Sequence, residues 1–256
     1  MSLPSSDSVE ERERAFFDRH YQEVARNPAG FALRVRRELA ALRRLTGNRR
    51  LGRLISVGCG DGPLECLLAP HAESVLGIDL SSAAIERARA RAAGLANLEF
   101  RCQAASALDP RERFDGIACV AFLHHVAEPE LPALLAQLRA RLRPGGFFFA
   151  QEPSRHGLLR TLGHALLGGS YHRYHSADER ELDPDELSAQ LHAAGFAKVE
   201  IGWIDVTLIP GQYVFPRAPA ALMQAFAALD RAFCATPFAR WASSFTVFAT
   251  RGEDPT

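Results

Sequence analysis

The sequence predicts an α/β protein built on a parallel sheet with helices on both faces. Through most of the chain, short apolar runs alternate with amphipathic stretches, as successive βαβ units require. The first of the central runs, "RLISVG", passes directly into glycines at alternate positions, Gly58, Gly60 and Gly62. An acid, Asp79, ends the next run about twenty residues later, where open α/β sheets hold the ribose of a nucleotide-like ligand.

The elements follow in order. The first residues are polar. From Val9 to about Asn27 the spacing is helical, with Phe16, Phe17, His20, Tyr21 and Val24 on one face, and "NPAG" breaks it. A second helix runs from Phe31 to about Leu45 and ends at Gly47. Strands are expected at "RLISVG", "SVLGIDL", "LEFRCQ", "FDGIACVAF" and "GGFFFAQEP". Helices between them are expected at "PLECLLAP", "SAAIERARARAAG" and "EPELPALLAQLRARLRPGG", the second capped by Ser81 with Ile85 and Ala88 facing in. The stretch 154–182 is irregular and rich in histidine, tyrosine and glycine. A helix over Pro184–Ala194 closes at Gly195. Two late strands, "AKVEIGWIDVTLI" and "SSFTVFATR", enclose an insertion at 210–242. Its helix carries Leu222, Phe226, Leu229 and Phe233 along one stripe.

Bulk properties narrow the function. The formal net charge is zero, so no whole-chain field draws in nucleic acid or an anionic membrane. An arginine-rich run before position 54 reads as the solvated face of a helix. Lys198 is the only lysine, which excludes most lysine chemistry. The five cysteines are scattered without a CxxC pair, so they read as buried hydrophobes of a reducing compartment. No signal core or membrane-length run occurs, and a cytoplasmic location is expected.

The glycine spacing is GxGxG, a weak signal alone. Asp79 strengthens it, because a carboxylate there accepts both ribose hydroxyls; the competing reading is an N-cap, a task Ser81 can perform. On "ISVGCGDG", "VLGIDLS", "FDGIACVAFLHHV" and "LRARLRPGGFFFAQEP", the sequence resembles the class I S-adenosylmethionine-dependent methyltransferases, in their small-molecule branch. The resemblance runs from about Leu51 to Glu152 and continues in layout to about Arg251. It implies a Rossmann-like, seven-stranded, mainly parallel sheet in the order 3-2-1-4-5-7-6 with the last strand antiparallel. Residues 1–50 would form a helical cap on a domain spanning 51–256, with a lid at 154–182.

The resemblance also implies S-adenosylmethionine as cofactor and S-adenosylhomocysteine as product. The cofactor residues it implies are Ser56, Gly58, Cys59, Gly60, Gly62, Asp79, Leu80, Ala104, Ala105, Ser106, Val120 and Phe122, with Tyr21 covering the sulfonium. Two positions depart from the family pattern. Ser56 stands where an acid is common, and Ala104 stands where an acid often meets the adenine amine. The cofactor's amino group should then be held mainly by backbone around Gly58 and Val120.

Catalytic candidates are His124 and His125 after the fourth strand, Glu152 at the end of the fifth, and His172 and His175 in the irregular segment. General base, substrate clamp and metal ligands compete as roles for the second group, beside incidental loop histidines. Without a dense ligand motif, no metal is expected. The sequence thus points to methyl transfer onto an O or C atom of a small-molecule metabolite, by a monomer or homodimer needing no nucleic acid or membrane. A cyclase or decarboxylase on the same cofactor, or a non-catalytic binding module, stands as the alternative.

Overall fold

The computed structural model describes residues 12, 14–16, 18, 27–159 and 179–253. Tyr21, His172 and His175 lie outside the described residues. In order, the elements are α1 (Pro28–Leu45), β1 (Leu51–Val57), α2 (Pro63–Leu68), β2 (Ala72–Asp79), α3 (Ser82–Arg91), β3 (Leu98–Cys102) and β4 (Phe114–Val120). There follow α4 (Leu131–Arg141), β5 (Leu142–Pro153), α5 (Pro184–Ala193), β6 (Lys198–Asp205), α6 (Leu208–Val214), α7 (Ala220–Cys234) and β7 (Ser244–Thr250).

The seven strands form one sheet in the order β3-β2-β1-β4-β5-β7-β6, with β7 antiparallel to both its neighbours. This is the sheet that the sequence implied. Side chains alternate across it. Ile55, Ile117, Phe148 and Val247 face α4 and α5. Leu54, Ala118, Phe147 and Phe149 face α1 and α2. Each fully buried Phe or Ile of these layers contributes roughly 1.5–3 kcal/mol by leaving water.

Three local expectations change. The second helix begins at Pro28 and not at Phe31: Asn27 accepts from the N–H groups of Ala29 and Gly30, and Pro28 takes the first turn. β6 stops at Asp205 and does not run on to Ile209. The N–H groups of Val206, Thr207 and Leu208 all donate to the Asp230 carboxylate, which turns the chain into α6. That same anchor sets the rotation of α7. Its buried stripe is Met223, Ala227 and Asp230, while Leu229 of the expected stripe is exposed. A stripe chosen by apolar residues alone misses a helix oriented by a buried acid.

Candidate active site

The carboxyl ends of β1, β2, β4 and β5 meet at one edge of the sheet, where open α/β folds hold ligands. β1 leads into a loop whose three glycines all have left-handed φ, +70° at Gly58, +55° at Gly60 and +75° at Gly62. The loop is tied to β2. Gly58 and Cys59 donate to the Ile78 carbonyl, and Gly60 donates to Asp79 Oδ2 at 2.9 Å. Ser81 N–H donates to Asp79 Oδ1 at 2.9 Å, and the Ser81 hydroxyl caps α3. Each Asp79 oxygen therefore has a fixed backbone donor. Burial raises the pKa of Asp79, against the backbone N–H groups of Ser81, Gly60 and Leu80 and the nearby His125, which lower it.

A cavity of about 450 Å³ opens beside this loop. Of the residues predicted to hold a cofactor, Gly58, Asp79, Leu80, Ala104, Ala105, Ser106 and Phe122 line it. Gly60 and Gly62 shape the loop, Gly62 as the left-handed residue ahead of α2. The Cys59 side chain turns away into a cluster with Ile85, Ala88 and Phe100, where burial pushes its thiol up. Val120 packs in the layer facing α1. Gln103 also lines the cavity and was missed; as a polar residue just beyond β3, it was the available signal.

Beyond β4 the chain turns sharply at Ala121, a non-glycine residue with φ +52° that bonds the Gln151 carbonyl. Glu152 fixes this turn from inside. Its Oε1 accepts from the N–H groups of Phe122 and Leu123 at 3.1 and 2.9 Å, and its Oε2 accepts from His124 Nδ1 at 2.7 Å. Glu152 and His124 are both buried, and neither lines the cavity. The expectation that Glu152 faces a ligand is thus corrected: three inward donors hold its carboxylate. The two histidines also separate, since His125 does line the cavity. Burial and the neighbouring His125 lower the His124 pKa, against the pull of Glu152.

Among the described residues, His124, His125 and Glu179 are the set with metal-ligand spacing, their ligand atoms within 4.8 Å of one another. His124 Nε2 lies 3.6 Å from Glu179, and Arg180 N–H donates to the His124 carbonyl, so these contacts tie residues 179 and 180 to the turn.

Ser56 lies under the loop, not on the cavity. It is buried, and its hydroxyl is hydrogen-bonded to Glu65 of α2, also buried. Glu65 was not foreseen. Its one sequence signal is a lone charge within the apolar stretch "PLECLL".

An open, mainly parallel α/β sheet with a glycine loop, an acid at the end of β2 and a cavity at the carboxyl edge defines a protein built around a nucleoside-bearing ligand. The family model described as "Methyltransferase domain" matches residues 31–201, and the chain belongs to that family. Over 155 residues it is 34% identical to the ubiquinone biosynthesis O-methyltransferase of Chelativorans sp. (strain BNC1), covering 56% of this chain and 58% of that protein. It is 31% identical over 160 residues to the Brucella anthropi protein of the same name, covering 58% and 61%. The chain thus spans about three-fifths of the length of these relatives.

Among solved structures, the fold resembles the N-methyltransferase NodS from Bradyrhizobium japonicum WM9 in complex with S-adenosyl-L-homocysteine. The TM-score is 0.63 at 14% identity, covering 94% of this chain and all of that one. It also resembles the magnesium protoporphyrin IX methyltransferase from Synechocystis PCC 6803, with a TM-score of 0.61 at 16% identity, covering 98% of this chain and all of that one.

Proposed function

We propose that this chain transfers the methyl group of S-adenosylmethionine to an oxygen or carbon atom of a small-molecule metabolite. The observation that carries the reading is Asp79: a carboxylate pinned by two backbone donors at the wall of a nucleoside-sized cavity. The residues present fit the cofactor. Asp79 stands at the cavity wall as a carboxylate acceptor for ribose hydroxyls. Leu80 and Ala105 supply apolar wall for a base, and backbone around Ala104–Ser106 supplies polar groups where no acid stands. The relatives' names, O-methyltransferases of ubiquinone biosynthesis, support a small-molecule acceptor.

The cofactor, when bound, supplies a methyl group activated by the sulfonium, and the protein's task is alignment and proton removal. His125 is the candidate base, since it borders the cavity and imidazole titrates near neutral pH. Glu152 and His124 hold the turn that presents it. Five free cysteines support the reading of a cytoplasmic enzyme.

Calorimetry with S-adenosylmethionine, S-adenosylhomocysteine and NAD tests the proposal. Binding of the two sulfur compounds but not NAD is expected, and binding of neither would overturn it. Asp79→Ala should weaken S-adenosylhomocysteine binding about a hundredfold, since each hydrogen bond to a charged group is worth about 1.5–3 kcal/mol.

A further inference from the structure

The glycine loop has two flanks. Ser56 lies two residues before Gly58 on β1, and Glu65 lies three residues after Gly62 on α2. The hydrogen bond between their side chains closes the base of the loop. Both residues are 2% exposed. Glu65 Oε2 is buried and accepts no hydrogen bond. Its neighbours do not compensate it. Glu38, on α1, pairs with Arg34 at 3.2 Å and accepts from Gln151 at 3.3 Å. Asp61, in the loop, pairs with Arg91 of α3 at 2.6 Å. The Cys59 and Cys66 thiols are nearby and uncharged, their pKa values raised in part by Glu65 itself. Among the described residues, two of the three acids at this place thus have an arginine, and no ion pair is made by Glu65.

We propose that Glu65, acting through the Ser56 hydroxyl from beneath the loop, is the counter-charge for the ammonium at the cofactor's amino-acid end. The inference rests on the cofactor reading above. Glu65 is a positioning residue here, since no cavity-lining atom belongs to it. An unmatched carboxyl in a dry interior is poised to lose its proton when a cation settles above it. Burial first, then Glu38 and Asp61, push its pKa up to about 7, against the Ser56 hydrogen bond. Cofactor binding is then coupled to proton release near neutral pH. The carboxyl's O–H bond breaks, the electron pair stays on the carboxylate, and buffer takes the proton.

The test compares S-adenosylhomocysteine with methylthioadenosine, which keeps the adenosine and lacks the amino-acid end. Titration calorimetry of the wild-type chain at pH 7, in buffers of different ionisation enthalpy, should show about half a proton released with the first ligand and none with the second. Affinity for the first should fall about tenfold from pH 8 to pH 6, because only the ionised fraction is competent. Affinity for the second should show no such fall. Glu65→Gln should abolish this difference between the ligands while adenosine binding persists. Equal pH dependence and no proton release for both ligands in the wild type would overturn the inference and leave the cofactor reading standing. Binding of neither ligand would overturn both.

Discussion

Glu152 and Glu65 are both buried carboxyl groups at the ligand edge of the sheet, on opposite sides of β4. Glu152 meets two backbone N–H groups and an imidazole, so both of its oxygens are occupied. Glu65 meets the Ser56 hydroxyl and its own backbone N–H, and leaves Oε2 without a donor. Burial is the same and donor count differs. A satisfied buried carboxylate is architecture, whereas one short of donors responds to whatever charge arrives.

Removing the satisfied acid should do the most damage. Glu152→Ala strands two backbone donors and His124, and should cost about 3–5 kcal/mol in urea unfolding. A loss below about 1 kcal/mol would show that the turn holds without it. His125→Ala, which alters the residue the turn presents, should lower kcat about a hundredfold with the fold intact. An unchanged kcat in the presence of saturating acceptor would remove His125 as base.

Glu65→Gln should have the opposite sign. The carboxyl titrates at about 7 in the folded chain and near 4.5 when unfolded, so folding favours its protonated form. Stability from this group is present at low pH and is lost as pH rises from the unfolded toward the folded value. The ligand-free variant should therefore be more stable than wild type by roughly 3 kcal/mol at pH 8, and by less than about 1 kcal/mol at pH 5. Equal melting at both values would show that Glu65 finds donors after all. The smallest effect is expected at Ala121→Gly. Relief of the left-handed backbone offsets the added freedom of the unfolded chain, leaving a change within about 0.5 kcal/mol by thermal melting.

Much of this contrast lies beyond sequence reading. The strands were legible because β-branched and aromatic runs are bounded by glycine, and Asp79 was legible from its spacing to the loop. Ser56 was visible as a departure. Its partner was not, because eight residues lie between them and only folding brings Glu65 to Ser56. The inward turn of Glu152 was hidden likewise, since its three donors come from a segment 28–30 residues away. In α7, the apolar stripe put Leu222 and Phe226 rightly against the core but also Leu229, which is exposed, because Asp230 carries contacts that orient the helix.

Asp230 has a further consequence. Arg37 of α1 forms an ion pair with it at 2.8 Å, and Asn27, at the start of α1, donates to the carbonyls of Phe215 and Ala218 at 3.1 and 2.8 Å. The first described long helix and the late α6–α7 segment are thereby stitched together across nearly the whole chain. For anyone building chimeras to change acceptor range, these two pieces form a single cassette. Exchanging α6–α7 without α1 would strip Arg37 of its ion pair, so a graft must carry both pieces.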